Sequence, residues 1–226
     1  MLKQKDIMDC LPLLASVLGN QYGVTVEIGG SEAYTDGKTI HLPALPLDSE
    51  PELITMIKGY CDHESAHIRE TDFEILRKAA LTPFQHNLFN ILEDWRVEER
   101  LSARYPGCRE SFRYLIQKLF GTQKAGDTNP AFSILNTILL TVRSWSVDAI
   151  IPRRESVAKT MERHYPGLRK ALFGEIARSA DEAWNRVYAG KTEVTHKALF
   201  PLRTLQQKLS GLTFIAGEKG FGSGSG

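Results

Sequence analysis

The chain has 226 residues, 42% of them hydrophobic and 24% charged, which suits a globular protein with a real core and excludes a fibrous or low-complexity chain. Lysine and arginine total 28 against 27 aspartates and glutamates, so a net charge of +1 offers no bulk attraction to nucleic acid or to an anionic membrane. Cys10, Cys61 and Cys108 are an odd set without paired metal-ligand spacing, and the N-terminal Met1-Leu2-Lys3-Gln4-Lys5-Asp6 lacks the apolar run of a signal peptide, so a reducing cytoplasm is expected.

Residues 5 to 19 place Ile7, Leu11, Leu14, Val17 and Leu18 at helical spacing, and Gly19 and Gly23 end that helix. Val24-Thr25-Val26-Glu27-Ile28 alternates like a half-buried strand, as does Thr39-Ile40-His41-Leu42 after the turn signal Thr35-Asp36-Gly37-Lys38, which predicts a small hairpin-like sheet. Pro43 and Pro46 cannot donate to a ladder, so the strand through Ile40 is expected at a sheet edge. From Glu50 the period turns helical, with Leu53, Ile54, Ile57, Tyr60, Cys61 and Ile68 on the buried side. Thr82-Pro83 starts a second long helix over 84 to 104, carrying Leu88, Ile91, Leu92, Trp95 and Leu101, and Pro106-Gly107 closes it. Further helical patterns fall at about 110 to 120, 130 to 147, 153 to 164, 167 to 190 and 195 to 210, with no strand evident past residue 50. The longest apolar stretches, such as 131 to 142, are interrupted by polar residues and fall short of the roughly 20 residues a membrane span needs, so no membrane is expected. Residues 217 to 226 are rich in glycine and serine and read as a flexible tail.

The chemistry concentrates in His63-Glu64-Ser65-Ala66-His67. Residues four apart on a helix lie one above the other, with Cβ atoms about 5 to 6 Å apart, so the two imidazoles can meet at one zinc ion. Glu64 lies one position round from His63, where a carboxylate can reach water on the metal without being a ligand, the place of a general base. A catalytic zinc keeps three protein ligands and an open position, so a third ligand must come from elsewhere. The second long helix offers adjacent acids in Asn90-Ile91-Leu92-Glu93-Asp94-Trp95-Arg96-Val97-Glu98-Glu99. Glu93 is the chosen ligand because it shares an apolar helical face with Val97 and Leu101 and so needs a compensating partner. Asp94 would then accept the other ring N–H of a ligating histidine. The opposite assignment, Asp94 as ligand supported by Glu98 one turn on, stays open.

Tyr34-Thr35-Asp36-Gly37 leading into Ile40-His41-Leu42-Pro43, then Asp62 to Ile68 with Thr71-Asp72-Phe73, then Asn90 to Glu98, resembles the metallopeptidase-like domain of cobaltochelatase T-subunit-like proteins over about residues 20 to 105. The resemblance implies a mostly helical α+β, zincin-like fold of gluzincin arrangement. The chain is accordingly expected to divide into a zincin-like metal-binding core at 1–110, a helical subdomain at 111–215 forming the rest of the cleft, and a flexible Gly/Ser-rich tail at 216–226. It implies one zinc per chain on His63, His67 and an acid of the Glu93-Asp94 pair, and hydrolysis of a protein or peptide substrate by a zinc-activated water with Glu64 as general base. It further implies that the strand through Ile40 lines the cleft and can pair with an extended peptide. Members of this group commonly carry a von Willebrand A domain and work beside AAA+ ATPases, so such partners are implied too. The other function class is a non-catalytic, metal-stabilised adaptor in a chelatase-like system of that kind.

Tyr105, Tyr114, His164 and Tyr188 are candidate donors to a tetrahedral oxyanion, with nothing to choose among them. His86 is a lesser alternative ligand, and Asp62 and Asp72 read as caps or solvated charges. Arg96, Arg100 and Arg104 read as an exposed helix face of mixed charge. Trp145 and Trp184 with Arg153-Arg154 read as core aromatics beside a solvated charge pair and not as a nucleic-acid surface.

Overall fold

The structure is a computed structural model that describes residues 4–46, 49–121, 130–164 and 166. In chain order these form helix α1 (Gln4–Gly19), strands β1 (Thr25–Ile28), β2 (Tyr34–Thr35) and β3 (Thr39–Leu42), and helices α2 (Pro51–Glu70), α3 (Phe73–Lys78), α4 (Pro83–Arg104), α5 (Pro106–Phe120) and α6 (Pro130–Arg143). A short 3₁₀ turn, Asp148–Ile150, leads into α7 (Ile151–His164). The described residues are thus mostly helical with one small N-terminal sheet and no strand after Leu42, and the helices predicted at 167–190 and 195–210 and the Gly/Ser-rich tail lie outside them. No helix among the described residues is long and apolar enough to cross a membrane.

Helix α1 buries Leu11, Ala15 and Leu18, one stripe at four and three spacing. Val17, expected on that stripe, lies about 100° round from Leu18 and is 52% exposed. The helix stops where Asn20 takes a positive φ of 54° and the Gln21 N–H returns to the Ser16 carbonyl. Arg69 from α2 then satisfies the last carbonyls, donating through Nε to Leu18 and through Nη2 to Val17, so a fixed cation also opposes the negative end of α1.

The sheet corrects two expectations. Its order is β1-β3-β2, with β1 parallel to β3, Val26 opposite Ile40, and β2 antiparallel to β3, Thr35 opposite Ile40. The two predicted strands therefore do not form a hairpin, and β3 is central where an edge was expected. Pro43 follows the last strand residue, Leu42, so its missing N–H costs the ladder nothing. Both sides of β3 are paired, which removes it as the free edge on which a peptide could add. The predicted turn does form, between β2 and β3: Asp36 Oδ1 accepts from the Lys38 and Thr39 N–H groups at 2.8 Å each, and those bonds hold its carboxyl below the usual range. Gly37 sits there at φ 98°, with Phe73 so close that an added Cβ would lie 2.9 Å from its ring.

The chain divides into two compact units, the described residues of Met1–Arg77 with Glu93–Leu119, and Lys78–Leu92 with the described residues from Phe120 onward. Two apolar clusters fill the first unit. Leu11 and Ala15, Val24, Ile40 and Leu42, and Ile57, Cys61 and Ile68 join α1, the sheet and α2. Leu18, Ala66, Val97, Leu101, Cys108 and Phe112 join the ends of α1 and α2 to α4 and α5. Gly59 lets α2 approach α5, since a Cβ there would stand 3.4 Å from Leu115 and from the Ser111 carbonyl. Packed on several sides, the second half of α2 buries Asp62, Glu64, Ser65, Ala66, Ile68 and Glu70. The motif helix is therefore an interior element with polar residues that must find partners within the protein. In the second unit, α6, the 3₁₀ turn and α7 bury Ile138, Leu140, Val142, Ile150, Val157 and Met161.

Candidate metal centre

His63 and His67 come from successive turns of α2, and their rings meet edge to face with centroids 4.8 Å apart. Asp94, from the part of α4 that belongs to the same unit, places Oδ1 3.2 Å from His67 Nε2 and 3.9 Å from His63 Nε2. One ligand-capable atom from each of the three residues lies within 4.8 Å of the others. Metal–ligand bonds of about 2.0–2.2 Å in a tetrahedral site put donors roughly 3.3 Å apart, so the His67–Asp94 pair at 3.2 Å already has that spacing. The His63–Asp94 pair at 3.9 Å closes by about 0.6 Å, and no pair, all being within 4.8 Å, closes by more than about 1.5 Å. Two imidazole nitrogens and one carboxylate oxygen suit zinc, and three protein donors leave a coordination position open.

Each histidine is held from behind. His63 Nδ1 lies 2.8 Å from Glu98 Oε1, and because a carboxylate only accepts, the ring nitrogen is the donor. His67 Nδ1 lies 3.0 Å from Thr71 Oγ1, whose hydroxyl donates to Glu93 Oε1 at 2.7 Å. Glu93 is also gripped by Arg96, through Nε to Oε2 at 2.7 Å and Nη2 to Oε1 at 2.6 Å. Arg96 is fully buried and donates further to the Glu70 carbonyl at 2.8 Å, and Arg100 Nε reaches Glu70 Oε2 at 2.6 Å.

The geometry thus brings Asp94, and not Glu93, beside the histidines. Consecutive helical residues point about 100° apart, so the two acids cannot serve one site from one face. Glu93 does lie on the apolar face that the sequence indicates, but the partner compensating its charge there is Arg96. Glu98, four residues after Asp94, lies on the same side as Asp94 and supports His63. The exposed mixed-charge face expected for Arg96 and Arg100 is corrected as well: Arg96 is 0% exposed, and both are tied to buried glutamates. Thr71, four residues after His67, is the site's least conspicuous member in the sequence, and its spacing was the available signal.

Glu64 is buried beside this cluster, 6% exposed. Burial raises its pKa, the nearby imidazoles of His63 and His67 oppose that, and the Asp94 charge adds to it. Burial works against a charged His63, yet the Glu98 hydrogen bond and the charges of Asp94, Glu98 and Glu64 outweigh it and raise its pKa to about 9. The cluster is therefore rich in negative charge and favours a cation, whether a proton or a metal.

Other predicted residues lie in different settings. The Tyr105 hydroxyl accepts from Arg69 at 3.2 Å, and Tyr114 carries Lys118 over its ring. His164 is exposed at the end of α7, and Tyr188 and Trp184 lie outside the described residues. His86 is exposed and pairs with Asn90 on its own helix. Asp72 caps α3 through the Ile75 N–H at 3.0 Å, and Asp62 is fully buried against Lys58 at 2.7 Å. Trp145 is half-buried, and Arg154 bonds Ser144.

A family model described as cobalamin biosynthesis protein CobT matches residues 3–134, more than half of the chain and all of the cluster. A second, described as a protein of unknown function (DUF3150), matches residues 127–219. No curated protein and no solved structure matches the chain.

Proposed function

The chain belongs to the family of cobalamin biosynthesis protein CobT, and from that membership and the cluster's geometry we propose a metal-dependent hydrolase in a chelatase-related setting, holding one zinc ion on His63, His67 and Asp94 and cleaving peptide bonds with Glu64 as general base. One observation carries the reading: three donor atoms of zinc-binding type lie within 4.8 Å of one another, and a buried carboxylate stands next to them on α2. On this reading the first unit is zincin-like, with α2 as the active-site helix and α4 supplying the acid.

Zinc, when bound, supplies a Lewis acid that lowers the pKa of water and polarises a carbonyl. The chain's own groups supply the rest. His63 and His67 would hold it through Nε2, since their Nδ1 atoms are engaged by Glu98 and Thr71. Glu64 takes a proton from the attacking water and returns it to the leaving nitrogen. A carboxylate whose proton affinity is raised by burial suits that exchange near neutral pH.

Family membership also supports a second reading, in which the metal is structural and the chain couples an AAA+ ATPase or a von Willebrand A partner to a client. The Glu64→Gln variant separates the two. On the hydrolase reading the zinc-loaded wild type cleaves an unfolded protein substrate, and Glu64→Gln binds zinc equally but loses cleavage by a factor of about 100 or more. Cleavage at the wild-type rate by Glu64→Gln contradicts the role given to Glu64, whereas a zinc-loaded wild type that cleaves nothing, with Glu64→Gln indistinguishable from it, leaves the adaptor reading.

A further inference from the structure

Resting on the reading that His63, His67 and Asp94 take up a metal, we propose that Thr71 is a positioning residue whose hydroxyl, locked by Glu93 and Arg96, fixes which nitrogen of His67 faces the cation.

The direction of each proton follows from charge. Arg96 is fully buried and cannot lose its proton, so its two donor atoms hold Glu93 as an ionised, acceptor-only group. The Thr71 hydroxyl donates its one hydrogen to Glu93 Oε1. Its oxygen, 3.0 Å from His67 Nδ1, can then only accept, so Nδ1 carries a hydrogen. Nε2 is left as the nitrogen that a proton or a metal occupies, and it is Nε2 that stands 3.2 Å from Asp94. Were the Thr71 hydrogen not committed elsewhere, the hydroxyl could donate to Nδ1 and support the opposite tautomer. The two histidines are thus set by different means: His63 directly by a carboxylate, His67 by a neutral hydroxyl that borrows its polarity from a buried ion pair.

The segment is built to keep Thr71 in place. Its N–H closes α2 on the His67 carbonyl at 2.9 Å, its backbone is already extended at φ −90° and ψ 136°, and its side chain is buried. A hydroxyl thus leaves the helix end on the same side as the imidazole one turn before it.

The test compares wild type with Thr71→Val, which keeps the shape and removes the hydroxyl, and Thr71→Ser, which restores it. Zinc affinity is read by competition with a chromophoric chelator, and the ring tautomers by ¹⁵N NMR of the zinc-loaded histidines. Thr71→Val is expected to bind zinc about 10 to 100 times more weakly, with Thr71→Ser returning to wild-type affinity. In the wild type, His67 is expected to keep a slowly exchanging Nδ1 proton and to bind through Nε2. In Thr71→Val that proton exchanges rapidly while the one on His63 is unchanged. Wild-type affinity in Thr71→Val, or binding through Nδ1 of His67 in the wild type, overturns the inference alone. A wild type that takes up no zinc overturns the site reading and this inference together.

Discussion

Glu93 and Asp94 are neighbours on α4, yet the surroundings on their two sides of the helix differ in kind. On one side Glu93 is closed in with Arg96, both buried, and Thr71, Glu70 and Arg100 extend the seam. On the other, Asp94 and Glu98 meet the imidazoles of His63 and His67. The difference lies in the counter-charge. An arginine does not give up its proton, so Glu93 keeps a counter-charge within the protein and needs no metal to supply one. An imidazole is cationic only while it carries a second proton, so the Asp94 side can exchange that proton for a metal ion. The first arrangement therefore suits stability and orientation, and the second suits the uptake of a cation, as proposed.

Breaking that contrast should give opposite phenotypes. Arg96→Met leaves Glu93 as a buried carboxylate without its guanidinium, and should cost about 3–5 kcal/mol in urea denaturation of the metal-free protein, because an uncompensated buried charge is among the most destabilising single changes. Replacing both partners, as Glu93→Leu with Arg96→Met, should recover much of that loss. Recovery of nothing by the double variant would show that the ion pair is not the source of the cost.

Asp94→Asn should do the reverse. Asp94 is only partly buried, so the metal-free protein should unfold within about 0.5 kcal/mol of wild type. Its zinc affinity should fall at least about 100-fold, or about 2.7 kcal/mol, and with it the rise in Tm that zinc produces. Unchanged zinc affinity would place the third ligand elsewhere.

The smallest effect concerns the apolar packing behind both sides. Burial pushes the Cys61 thiol up to about 12 and the Cys108 thiol up to about 11, in each case with the Asp62 charge adding to the shift, whereas Cys10 is exposed. Raised pKa values leave little thiolate at pH 8, so native protein should react rapidly at one thiol with a disulfide reagent and at all three in denaturant. Three rapid thiols in the native state would mean that the clusters around α2 are open.

Much of the helical frame was legible because its signals are local. Pro83 marks where α4 begins, and the four-residue spacing of His63 and His67 already puts both imidazoles on one side of α2. Pro106, read as the close of α4, is also the first residue of α5, which starts about four residues before its apolar pattern does. The sheet was legible only as strands. Which side of β3 is covered depends on pairing with β1 and with the two-residue β2, too short to show a period. The third donor needed the phase of α4 against α2, which no spacing within α4 supplies. Two spacings nevertheless sat in plain view: the ion pair of Glu93 with Arg96 at three residues, and Asp94 and Glu98 four apart on one side of the helix. Reading the arginines as a solvated stripe hid the first, and so made Glu93 look like an acid in need of a metal.

The most direct test is the zinc content, by elemental analysis, of purified wild type, Asp94→Ala and Glu93→Gln at a chain concentration well above the dissociation constant. The account predicts one zinc per chain in the wild type and in Glu93→Gln and none in Asp94→Ala. Zinc retained by Asp94→Ala and lost from a folded Glu93→Gln would contradict it.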